Sequence, residues 1–204
     1  MSIAASADAG GAEGLPDQTG ESHGERFLTK DIWVFVLCEC AIFTAYFIVY
    51  MMYRVGNQAL FLSSQQRLDP RFGVCNTLIL LFSSWLIANC VISARSGRYR
   101  AATNQCAGAI ACGVLFVGLK IVEWWIKIHQ GLEFSTNEFF WFYYFLTSIH
   151  VLHVLIGFIF LGVVMYQLRG VERRSQTVIE TGAIYWHMVD LLWVMIFAII
   201  YVMR

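Results

Sequence analysis

Charge is scarce in this sequence. Only 14% of its 204 residues are Asp, Glu, Lys or Arg, and they sum to a formal net charge of zero. No global field therefore draws acidic partners, and the basic residues lie scattered at segment ends rather than in a patch. That pattern argues against nucleic-acid binding. The six cysteines, Cys38, Cys40, Cys75, Cys90, Cys106 and Cys112, show no CxxC spacing. They read as small apolar filler rather than as disulfides or metal ligands. A cleavable leader needs a basic start and an apolar core, and the first 25 or so residues have neither. No run alternates apolar and polar residues in segments of about ten, which excludes a membrane β-barrel.

What is abundant is apolar surface, 58% of the residues, far more than an ordinary soluble domain carries. Five segments reach the roughly 20 residues a bilayer-spanning helix needs: about 31–53, 74–94, 105–127, 138–166 and 183–203. The predicted fold class is all-α, an integral membrane bundle of five transmembrane helices over residues 27–204. The Ser/Ala/Gly/Asp/Glu-rich residues 1–26 read as a disordered polar cytoplasmic tail, because they cannot bury enough surface to order themselves. The start of the fourth span, Glu138-Phe-Phe-Trp-Phe-Tyr-Tyr144, reads as an interfacial aromatic belt. Lys and Arg favour the tail and the connections after spans two and four. Eight stand there (Arg26, Lys30, Arg95, Arg98, Arg100, Arg169, Arg173 and Arg174), against Arg54, Arg67, Arg71, Lys127 and Arg204 on the other side. The expected orientation is a cytoplasmic N-terminus and an external C-terminus.

Within the spans, ionisable residues are few, and a charge at membrane depth costs several kcal/mol unless it faces protein or water. The last segment is the most telling: Glu180-Thr-Gly-Ala-Ile-Tyr-Trp-His-Met-Val-Asp190. At about 100° per residue it puts Glu180, His187 and Asp190 on one broad face. Lys120 and Glu123, three apart, are expected to form an internal ion pair. His150 and His153 share a face in the same way. Glu39 stands alone mid-segment, where desolvation favours its neutral form; a structural hydrogen bond is the first reading and proton handling the second.

Three histidines and an acid in neighbouring spans also admit a metal site or a haem with axial histidines. Against a di-iron centre, no Glu-x-x-His pair of the bundle type occurs. A proton-coupled transporter fits the buried charges but lacks the Gly/Pro-broken helices such sites use. The expectation is that no metal is bound, that no residue is catalytic, and that the polar set joins helices by hydrogen bonds.

Four stretches carry a resemblance. They are Cys38-Glu39, Phe116-xxx-Lys120-xx-Glu123-Trp124, Thr147-Ser-Ile-His150-Val-Leu-His153-Val-xx-Gly157 and Glu180-xxxx-Tyr185-Trp-His-Met-Val-Asp190-xx-Trp193. In order and spacing they resemble subunit III of the haem-copper oxidases, over about residues 27–203. Cys38 and Ser148 stand where members usually have Ser and Gly. Five spans rather than seven resembles the short bacterial form that lacks the first two helices, and His187-Met-Val-Asp-Leu-Leu-Trp193, Lys120 where many members have Gln, and Asn76-Thr-Leu after Leu68-Asp-Pro look most like the branch associated with nitric oxide reductase. The resemblance implies a subunit in the bacterial inner membrane without redox centres, stabilising a catalytic subunit that holds haem and copper and supporting its proton uptake. It also implies contact with membrane lipids, including structural lipid. The polar interior it implies is Glu39, Glu123, His150, His153, Glu180, His187 and Asp190. A freestanding haem- or metal-binding enzyme built on His150, His153 and His187 is the alternative.

Overall fold

The computed structural model describes residues 19–170 and 174–203, with side chains from Ile32 onward. Among the described residues six helices follow one another: α1 (Thr19–Gly56), α2 (Gln58–Gln65), α3 (Pro70–Arg95), α4 (Tyr99–His129), α5 (Glu138–Arg169) and α6 (Gln176–Phe197). A single π-helical turn, Ala198–Val202, extends α6. Five stretches of the described residues are long and apolar enough to cross a membrane: Ile32–Gly56, Pro70–Arg95, Tyr99–His129, Glu138–Arg169 and Gln176–Val202. The bundle is therefore the all-α, five-span one expected.

Each helix overruns the apolar segment that announces it, because caps rather than hydropathy end a helix. Asp69 accepts from the Arg71 amide just before Pro70, whose missing N–H costs nothing at a first helical position. Asn137 accepts from the Phe140 amide at 3.0 Å, and Ser175 from the Val178 amide. Gly97 and Gly131, at φ of 72° and 74°, turn the chain after α3 and α4, a conformation open to glycine. Residues 1–18 of the polar tail lie outside the described residues. The backbone of α1 already runs from Thr19, since adding a residue to an existing helix gains a hydrogen bond at little further cost. The eight-residue α2, not anticipated from the sequence, lies along one end of the bundle.

The helix α6 is the hub, packing against α1, α3 and α5, while α3 pairs with α4 and α4 with α5. The apolar window of α6 is 61% buried, against 22% for that of α1. Small residues allow this closeness, as expected where lipid supplies no hydrophobic drive between helices. A Cβ at Gly157 on α5 would fall 2.8 Å from the Trp186 ring, and one at Gly113 on α4 would fall 2.9 Å from it. Trp186 thus wedges between α4 and α5. Its Nε1 donates to Ser83 on α3 at 2.9 Å.

The aromatic run at the start of α5 departs from the expected interfacial belt. Only Trp141 is exposed; Phe139, Phe140 and Tyr143 are fully buried. Residues of α1 and α2 cover part of the run, with Tyr50, Phe61, Phe139 and Phe142 meeting edge to face, while Tyr143 turns toward Lys120 and Tyr201.

Candidate functional site: a layered polar interior

The ionisable residues lie in layers along the bundle. Toward the Pro70 end is a closed cluster. Lys120 Nζ lies 2.9 Å from Glu123 Oε2, and both side chains are buried to within 1%. The same ammonium donates to Tyr201 Oη at 2.9 Å and to Tyr143 Oη at 3.4 Å. Tyr201 Oη in turn donates to Glu123 Oε1 at 2.6 Å. Lysine has three N–H groups, and all three find acceptors. The rings of Tyr143 and Trp193 lie 4.8 and 5.0 Å from Nζ, adding cation–π attraction. A buried ion pair survives only with such complete satisfaction.

The π-turn decides where Tyr201 points. An extra residue in one turn rotates everything after it, and such insertions recur at functional positions. Here it carries Tyr201 inward, while Val202 faces out.

One layer further in, His150 is fully buried between Phe116 and Trp193, ring centroids 5.5 and 5.1 Å away. Neither of its nitrogens has a hydrogen-bond partner among the described residues. Trp193 Nε1 donates to Thr77 on α3 at 3.1 Å.

The next layer holds two pairs. Ser84 Oγ on α3 lies 2.7 Å from His187 Nδ1 on α6. Ser84 is also the polar neighbour of Asp190, although no hydrogen bond of ordinary geometry closes on either buried carboxylate oxygen. On the other side, His153 Nε2 on α5 lies 3.2 Å from Glu39 Oε2 on α1. His153 Nδ1 lies 2.8 Å from the Ile149 carbonyl. A carbonyl only accepts, so Nδ1 carries a proton. Nε2 and the Glu39 oxygen can then approach only if one of them also holds a proton.

Glu180 sits at the far end, toward solvent. It accepts from Arg95 of α3 at 2.9 Å, with the two side chains 35% and 62% exposed, and from Gln176. Such a pair contributes little to stability. Glu180, His187 and Asp190 do share a side, and it is the side facing α3.

The sequence therefore singled out groups that the structure divides into separate contacts. Lys120 meets Glu123, Glu39 meets His153, and His187 meets Ser84. His150, His153 and His187 do not converge. Among the described residues no three of His, Cys, Asp and Glu gather as a metal-holding group. Reading the sequence missed Tyr143, Tyr201, Ser83 and Ser84. Their hydroxyls sit in apolar runs where an aromatic or a small residue passes for packing. The only signals available were helical phase, Tyr143 standing seven residues before His150 on α5, and the Ser83-Ser84 pair interrupting an apolar stretch.

The family model described as "Cytochrome c oxidase subunit III" matches residues 22–204. The chain is 27% identical to the cytochrome bo(3) ubiquinol oxidase subunit 3 of Pseudomonas aeruginosa, over 84% of this chain and 82% of that protein. It is 26% identical to the cytochrome c oxidase subunit 3 of Synechocystis, over 90% of this chain and 81% of the relative. It is likewise 26% identical to the quinol oxidase subunit 3 of Bacillus subtilis, over 90% of each. A match running from within α1 to the end of the chain, across every layer just described, places this five-span protein in the cytochrome c oxidase subunit III family.

Proposed function

We propose that this chain is an accessory subunit of a haem-copper respiratory complex in the bacterial inner membrane. It carries no redox centre of its own, and haem and copper belong to the catalytic subunit it stabilises. Family membership supports the class of complex. The observation that carries the accessory role is the interior itself: most ionisable groups at membrane depth are engaged across helices, the Lys120–Glu123 pair of α4 with Tyr143 and Tyr201, Glu39 with His153, and His187 with Ser84, while His150 and Asp190 have no hydrogen-bond partner among the described residues. Those contacts fasten the helices to one another.

The finer reading assigns the partner to the branch associated with nitric oxide reductase. It rests on the resemblance carried by His187-Met-Val-Asp-Leu-Leu-Trp193, by Lys120 where many members have Gln, and by Asn76-Thr-Leu after Leu68-Asp-Pro. The end bearing Arg95, Arg98 and Arg100 is the cytoplasmic one in this reading. Structural lipid lies along the exposed apolar faces. The Glu39–His153 pair, which must hold one proton, supports proton supply to the catalytic subunit.

The experiment is a mild-detergent pull-down of the tagged chain, with mass spectrometry and a visible spectrum on the same sample. Haem arriving with a large catalytic subunit supports the accessory role, and consumption of nitric oxide or of oxygen by that sample decides the branch. Haem or metal bound stoichiometrically to this chain alone overturns the role and returns His150, His153 and His187 as ligands.

A further inference from the structure

The buried Lys120 cluster has a polar pocket on its outer side. A cavity of about 140 Å³ opens between α2, the connection after it, the start of α3 and the π-turn. It is lined by Leu62, Gln65, Gln66, Leu68, Pro70 and Tyr201. Its volume suits about four waters at roughly 30 Å³ each. Gln65 is only 7% exposed, and neither its Nε2 nor its Oε1 has a partner among the described residues. A buried amide with both ends free calls for a guest that both donates and accepts hydrogen bonds. Tyr201 belongs to both places, since it is among the residues lining the pocket and its hydroxyl closes the cluster.

We propose that this pocket is a water-binding port through which the Lys120–Glu123–Tyr201 cluster exchanges protons with the aqueous phase at the Pro70 end of the bundle. Tyr201 Oη donates to Glu123 and accepts from Lys120, leaving a lone pair for a water in the pocket. Exchange is a set of proton hops. A water in the pocket gives a proton to Tyr201 Oη as the phenol, turned briefly from Glu123, gives its own to a second pocket water, and the hydroxide and hydronium so formed recombine in the pocket, leaving Tyr201 with a solvent proton. Each hop breaks one O–H bond and forms another, with water as the only co-reactant. Gln65 orders the water without titrating. Tyr143, within reach of the same ammonium, lies on the inner side, away from the port's lining. The proposal is independent of which catalytic subunit the chain joins.

The test uses the full chain in lipid nanodiscs, transferred rapidly into D2O. The O–H to O–D change of Tyr201 is followed by infrared spectroscopy, its band isolated by difference against Tyr201→Phe. Two variants alter the port without touching the cluster: Leu68→Trp fills it, and Gln65→Leu removes its polar lining. The expected result is exchange within seconds in the unmodified chain, slowed at least tenfold by Leu68→Trp and severalfold by Gln65→Leu. If Leu68→Trp fails to fold, Gln65→Leu decides alone. Equal exchange rates in the folded variants and the unmodified chain overturn the proposal, because protons then arrive elsewhere. An unmodified chain that does not exchange over hours overturns it too, because the cluster is then sealed.

Discussion

The phenol of Tyr201 donates a 2.6 Å hydrogen bond to Glu123 Oε1, tying the π-turn after α6 to the last third of α4. Seventy-eight residues apart in sequence, the two meet because α6 runs through the centre of the bundle. That bond, with the lysine beside it, makes the Pro70 end the most tightly specified part of the interior.

Lys120→Met leaves a carboxylate buried with only a phenol beside it, and the expected cost is about 3–5 kcal/mol. The double variant Lys120→Met/Glu123→Leu removes both charges and should recover most of that loss. Denaturation in mild detergent measures both; equal instability of the single and double variants would contradict the ion-pair account.

Gly73 lies under the same cluster. A Cβ there would meet Phe197 and Tyr201 at 2.9 Å. Gly73→Ala should therefore push the Tyr201 ring outward and destabilise the chain by about 1–3 kcal/mol, the usual range for overpacking. Its effect should overlap with that of Tyr201→Phe rather than add to it, as expected for neighbours. A double-mutant cycle on the melting temperature checks this.

Gly157→Leu should be worse than Gly73→Ala. It drives a large side chain into the Trp186 ring, which cannot retreat because Gly113 and Phe158 close the other side. The expected outcome is loss of the folded bundle, seen as aggregation on size-exclusion chromatography, while Gly162→Leu, with open space around its Cβ, stays monodisperse.

Glu39→Gln keeps a hydrogen-bonding group beside His153, so the chain should fold and still join its complex. What it removes is the proton the pair must hold. The expected phenotype is normal assembly with slower proton-coupled turnover, measured on the purified complex. Turnover equal to that of the unmodified complex would sink the proton-supply reading and leave Glu39 a structural link between α1 and α5.

The exposed Arg95–Glu180 pair should behave differently from all of these. Arg95→Ala is expected to cost at most about 1 kcal/mol and to lose that effect in high salt. Ser84→Ala, which strands His187 inside the bundle, should cost about 1–3 kcal/mol irrespective of salt. Melting curves at two ionic strengths separate them.

The sequence by itself determined the class of the molecule. Apolar runs long enough to span a bilayer, with too few charges for anything else, leave helices as the only way to satisfy the backbone. It also showed that Lys120 and Glu123 meet, because a spacing of three residues on one helix is local geometry. Contacts between helices were beyond it. That Glu39 reaches His153, that His187 finds Ser84, and that Tyr143 and Tyr201 complete the lysine's shell depend on which helices are neighbours and on their rotation about their own axes. Those are set by Trp186 seated between Gly113 and Gly157, by α2 covering part of the aromatic start of α5, and by one π-turn that shifts the phase of the last residues. Helical periodicity assigns each residue a direction around its own axis; only the packed bundle decides what stands in that direction.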